Sequence, residues 1–340
     1  MAASYSTGSA TGPTDLLQKL VTWLVAQGWT SDASASYGSG WRAHLHRSGQ
    51  YVNLRAFANE AANGTTGWGS TGASATAGYG IGMYLGDGYS GAAAWNAQSG
   101  GPMDGTGTYR LGVGVYLTSA AIPVYPFLDD GSGHVTVIVD KGNGLTGHLG
   151  WGPSLAKTGY TSDYWYFYGS SPAYFTAVLG TYGPYQGTDA PAQVPMAMSF
   201  YEVSYAHMAC SFVRVDASVF APRWLGLTDG TTSWQRNGYT GKFGQSWISN
   251  GTGNLEGNYG EHPTMTQLIG RSWQSAFAGA LLLPVHVFML GATSRWVPLG
   301  FPPTVFWFNG VGHGFNSGQV VAIGGVNYLV FANFAVKKLA

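Results

Sequence analysis

Charge is what this chain has least of. Its 340 residues include 15 Lys and Arg and 15 Asp and Glu, 9% together, where an ordinary soluble domain carries roughly 25%. The two signs cancel, so no net charge keeps copies of the molecule apart. The few cations are scattered along the chain, which lacks the basic stripe of a nucleic-acid binder. Cysteine is nearly absent too. Cys210 stands alone, which excludes an intramolecular disulfide, and its setting in Cys210-Ser211-Phe212-Val213 reads as a buried thiol on a strand. The opening residues have neither a cationic nor an apolar leader region, so no signal peptide is expected. One apolar run, residues 276–292, invites a membrane reading. Its 17 residues fall short of the ~20 needed to cross a bilayer, and Pro284 and His286 interrupt it. Two buried strand segments joined at a proline bend explain it better, and no membrane span is expected.

What is present points the other way from disorder. The 13 Trp, 21 Tyr and 16 Phe, with 45% hydrophobic residues overall, belong to a packed chain. The 53 glycines follow no Gly-X-Y period, which excludes collagen. A neutral, partly apolar surface invites association. The simplest reading is a protein covered by neighbours in a large assembly rather than a freely diffusing enzyme.

The expected fold is mainly β, with two or more β-sandwich or barrel-like modules, long Gly-rich loops and one N-terminal α-helix. Cores usually divide beyond ~250–300 residues. Residues 1–30 read as a flexible leader plus the helix. Residues 31–190 read as one β-module with Gly/Ser/Ala-rich loops. Residues 191–340 read as a second module, the boundary falling in the Gly- and Pro-rich stretch 180–195. The helix is marked by Leu16, Leu17, Leu20, Val21 and Leu24 at helical spacing, with Thr14 as a cap, Asp15 in the first turn and Gly28 as the stop. That stripe must be covered, by its own module or by a neighbouring subunit. Trp41–Phe57 reads as a hairpin turning at Ser48-Gly49. Residues 134–140 and 164–168 read as strands, as do 198–206, 211–215, 281–290 and 305–308. Gln319–Phe331 reads as a hairpin turning at Gly324-Gly325.

Chemistry-bearing patterns are few. There is no nucleophile elbow, phosphate loop or His-Glu-x-x-His. Gly78-Tyr79-Gly80-Ile81-Gly82 resembles a dinucleotide fingerprint but lacks the helix that motif requires. Asp129, Asp130 and Asp140 are the nearest thing to paired glycosidase carboxylates. Asp129-Asp130-Gly131-Ser132-Gly133 is equally an ordinary turn. His44 and His46 share one face of a strand and supply half of a metal site. The face opposite Ala43 and Leu45 could as well be the wet one. Glu261-His262 lies in a polar loop. No catalytic residues and no cofactors are expected. The aromatics are expected mainly in the core, with some left over for interfaces or sugar stacking.

Three groups of segments resemble virion structural proteins of tailed bacteriophages. The first is Tyr5–Thr11 with Asp15–Leu24 and Gln27–Thr30. The second is Gly147–Gly152 leading to Leu155–Thr161. The third is Phe301-Pro302-Pro303, Phe306-Trp307, Ile323–Phe331 and Asn333–Lys338. The resemblance implies a particle component of the tail, baseplate or host-contact apparatus, assembled in host cytoplasm. Its partners would be other virion proteins, copies of itself and a host receptor or surface glycan. It brings no catalytic residues with it. Residues 60–110 and 229–262 lie outside the likeness.

Overall fold

The computed structural model describes residues 2–60, 78–101, 110–140, 146–153, 165–169, 171–175, 211–214, 224–226, 241–243, 282–284, 287–290, 296–300, 304–308, 315, 318–330 and 334–338. The chain opens with β1 (Ser4–Ala10), the helix α1 (Pro13–Ala26), β2 (Thr30–Tyr37), β3 (Gly40–Arg47), β4 (Gln50–Glu60) and β5 (Gly78–Gly86). Then come β6 (Arg110–Leu117), β7 (Ile122–Asp129), β8 (Val135–Asp140), β9 (Thr146–Gly152), β10 (Trp165–Gly169) and β11 (Ser171–Phe175). Short strands follow: β12 (Ser211–Arg214), β13 (Trp224–Gly226), β14 (Gly241–Phe243), β15 (Leu282–Pro284), β16 (Val287–Leu290) and β17 (Trp296–Gly300). The last are β18 (Val305–Phe308), β19 (Gln319–Ile323), β20 (Val326–Val330) and β21 (Phe334–Lys337). The protein is therefore mainly β, with one α-helix among the described residues.

Two large antiparallel sheets share the main core. One runs β1-β7-β8-β9-β10-β12-β13 and the other β11-β6-β5-β4-β3-β2. Alternation along the strands decides which side chains meet between them. Leu45, Val52, Leu54, Met83 and Val113 come from one sheet, and Phe127, Val137, Leu149, Trp151 and Phe167 from the other. β8 lies inside its sheet and is buried on both faces, from Val135 through Val139. A five-stranded sheet, β15-β18-β21-β20-β19, holds a separate small core around Phe308, Tyr328 and Val330. A fourth, three-stranded sheet joins β14, β16 and β17. None of these sheets closes into a barrel among the described residues. The apolar run around Leu281–Leu290 splits as its proline suggests, with β15 in one sheet and β16 in another. No helix among the described residues is long and apolar enough to cross a membrane.

The helix occupies the expected place but begins differently. Gly12 is its N-cap and Pro13 fills the first turn, where a missing N–H costs nothing. Thr14 is thus inside the helix. Asp15 organises the entry instead, accepting the Thr11 N–H at 2.8 Å and the Lys19 ammonium at 2.8 Å. Lys19 also donates to the Ser9 carbonyl at 2.8 Å. The far end is a Schellman cap. Gly28, at φ 80°, lets its N–H reach the Val25 carbonyl while the Trp29 N–H reaches Leu24, both at 3.0 Å. Leu16, Leu17, Leu20 and Leu24 are fully buried and Val21 nearly so, all within the core of their own chain. Trp23 packs on Phe127, with ring centroids 5.5 Å apart.

The reading of residues 1–13 as a flexible leader is corrected. Ser4–Ala10 is an edge strand, paired antiparallel with β7 from Ser4–Asp129 to Ala10–Ile122. Small polar residues suit a half-exposed edge as well as they suit a loop, so composition alone does not separate the two. β10 pairs with β12, so one sheet takes strands from both sides of residue 190. The stretch 180–195, the expected strand at 198–206, Cys210 and Glu261-His262 lie outside the described residues. The hairpin turns stand where expected. Ser48 and Gly49 have φ of 51° and 81°, and Gly324 and Gly325 have 60° and 81°. Positive φ at both central residues matches the twist of the flanking strands.

Candidate functional site

The outward face of the six-stranded sheet carries a group of polar and cationic side chains. Its composition follows from register. Ala43 and Leu45 of β3 point into the core, so Arg42, His44 and His46 point away from it. On β4, Val52, Leu54 and Ala56 point inward, leaving Asn53, Arg55 and Phe57 outside. Pairing then sets His44 opposite Asn53, Asn53 opposite Tyr84, and Arg42 opposite Arg55.

Much of this face is nevertheless buried, because residues 87–101 fold across it. Trp95 is the centre of the cover. It meets Phe57 and Tyr84 edge-on, at centroid distances of 6.2 and 5.4 Å, and its indole N–H donates to the Leu54 carbonyl at 2.8 Å. The Tyr84 hydroxyl donates to the Trp95 carbonyl. Gln98, fully buried, holds the segment's shape. Its Oε1 accepts the Ser90 N–H at 2.7 Å, and its Nε2 faces the carbonyls of Ser90, Ala93 and Ala94 at 3.1–3.2 Å.

The two histidines share this face, and each has its own partner. His44 is buried, with Nδ1 2.7 Å from Asn53 Oδ1 and its ring 5.0 Å from that of Tyr89. Burial lowers its pKa and the Asn53 hydrogen bond only partly offsets this, so the ring is neutral near pH 7. Its Nε2 is buried without a partner. His46 is partly exposed and meets Asp32 Oδ2 at 2.8 Å, with its ring stacked on Tyr51. Asp32 sits at the register shift between Ser31 and Ala33, which directs it to His46. Among the described residues no group of three or more His, Cys, Asp or Glu is gathered as a metal site requires.

The two arginines form the cationic part. Both guanidinium carbons lie over the Tyr37 ring, Arg42 at 4.8 Å and Arg55 at 4.5 Å. Arg55 also lies 4.6 Å from the centroid of Phe57 and is almost wholly buried. Stacking on aromatic faces offsets part of the cost of taking such a charge out of water.

The carboxylates at residues 129 and 130 build a joint. Asp129 is buried and meets Arg47 at 2.9 Å, while Arg47 also donates to the Gly131 carbonyl at 2.8 Å. The β3–β4 hairpin of one sheet is thereby tied to the β7–β8 turn of the other. Asp130 Oδ1 accepts from the backbone of Ser132 at 2.8 Å and of His134 at 3.0 Å, as a turn aspartate does. His134 is buried behind this turn, with Nδ1 3.1 Å from Oγ1 of Thr304, the residue before β18. Burial pushes its pKa down to about 4, opposed by Asp130. Asp140 ends β8, half-buried. The glycine run at 78–82 is the first half of β5 and continues as strand to Gly86 rather than opening a helix.

The sequence singled out His44, His46 and the turn aspartates. It did not single out Arg42, Arg55, Tyr37, Trp95 or Gln98. The alternation that put His44 and His46 on one face placed Arg42 there too. Nothing in the pattern of residues 87–101 marks them as a cover. No known protein family matches this chain, and no curated protein is significantly similar to it.

Proposed function

We propose that this chain is a non-enzymatic structural component of a bacteriophage virion, in the tail, baseplate or host-contact apparatus, working as multiple symmetric copies. The observation that carries this reading is the charge deficit, 30 ionisable acidic and basic side chains balanced to zero in 340 residues. The fold deepens the deficit. Arg47, Arg55 and Asp129 are spent inside the molecule, on interior contacts rather than on a hydrated surface. Such a surface is suited to contact with neighbours, and identical subunits usually close symmetrically. Proteomics of purified particles, followed by a reconstruction with the chain traced in it, tests the assignment. Burial of more than ~1,000 Å² per contact against other virion chains is the expected outcome. Absence of the chain from intact particles refutes it.

A receptor- or glycan-binding tail module is the second reading, favoured by the aromatic and arginine side chains gathered on one sheet face. A tail-associated glycan hydrolase has less support, because Asp129 and Asp130 are engaged in the turn and its ion pair.

A further inference from the structure

Among the described residues, Arg42 is a charge that no ion pair accounts for. It is half-buried, its Nε is buried without a partner, and its guanidinium makes no ion pair with any described residue. It stands directly opposite a second arginine, Arg55, on the neighbouring strand. Like charges facing each other across a strand pair repel. Both share the Tyr37 ring, which aligns the two planar cations on one side of the sheet. The nearby carboxylate, Asp32, is engaged by His46. His44, next along the same face, is held neutral with Arg42 as one of the causes, so it adds no competing charge. Access lies on the edge side. The β2 residue opposite Arg42 is Ala35, which is exposed and too short to wall the arginine off.

We propose that Arg42, backed by Arg55 and floored by Tyr37, is a binding site for an oxyanion, a carboxylate or phosphate group of a ligand that approaches across the β2 edge. Arg42 supplies the forked donors that match either group, and Arg55 deepens the positive potential behind it. The site does not depend on membership of a particle.

Calorimetric titration of the full chain with sodium phosphate and with sodium glucuronate, at constant ionic strength, tests this. Glucose serves as the uncharged control. Saturable binding of one anion per chain is expected, weakening as salt rises. Phosphate alone marks a phosphate ligand, glucuronate alone a carboxylated sugar, and both together a general oxyanion site. Arg42→Gln should weaken binding at least ~10-fold, with Arg42→Lys retaining part of it. Ala35→Glu changes an exposed position and should block the site with its own carboxylate. These controls separate site binding from the general stabilisation that phosphate gives most proteins. The proposal fails if neither anion saturates, if glucose binds as well as glucuronate, or if both Arg42→Gln and Ala35→Glu bind as the parent does.

Discussion

Acid should loosen the joint between the large sandwich and the C-terminal five-stranded sheet, and His134 should carry the effect. Its ring is buried and touches Thr304, the residue before β18 of the C-terminal sheet, and the residue is packed so closely on Gly152 that a β-carbon there would lie 2.7–2.9 Å from the His134 Cα, Cβ and ring Cδ2. Burial depresses its pKa from 6.5 to about 4. The sign follows from linkage. The unfolded chain takes up a proton near pH 6.5 and the folded chain does not until about pH 4, so stability is full above 6.5 and falls as pH drops through that window. The loss amounts to about 1.4 kcal/mol near pH 5.5 and about 3 kcal/mol at pH 4. Urea denaturation from pH 7 to pH 4, run on the parent and on His134→Gln, reads it. The variant is less stable at pH 7, because its side chain fits the pocket poorly. The gap between the two proteins should nevertheless shrink by about 3 kcal/mol on acidification. Equal losses in both would refute the reasoning, since other groups would then be responsible. An NMR titration placing the His134 ring near pH 6.5 would refute it too.

Leu20 has no exposed surface, and Leu20→Ala should cost ~2–5 kcal/mol by denaturant unfolding. Val25→Ser, on the exposed side of the same helix, should stay within ~0.5 kcal/mol. If Leu20→Asp keeps its melting temperature but fails to join particles, the helix is an assembly element and its burial in the chain's own core is not what secures it. Arg47→Ala strips the buried Asp129 of its cation and should cost ~3–5 kcal/mol, measured the same way. Adding Asp129→Asn should recover part of that loss, and no recovery would mean the arginine acts through packing alone.

Sequence by itself settled the elements whose signals are local. The helix announces itself through Leu16, Leu20 and Leu24 on one face and Gly28 at its end. The two hairpins announce themselves through Ser48-Gly49 and Gly324-Gly325, because backbone sterics restrict positive φ to few residues. Alternation in β3 and β4 gave the two faces of a sheet. What it could not give was pairing between distant segments. That Ser4–Ala10 is an edge strand depends on β7, more than a hundred residues away. That His44 is buried rather than wet depends on residues 87–101 crossing its face. Arg47 meeting Asp129, and His134 meeting Thr304, join residues 82 and 170 positions apart. Arg42 and Arg55 face each other only because the hairpin register sets them so. Such contacts follow from strand order and register, which tertiary packing selects among many pairings that the same local pattern allows.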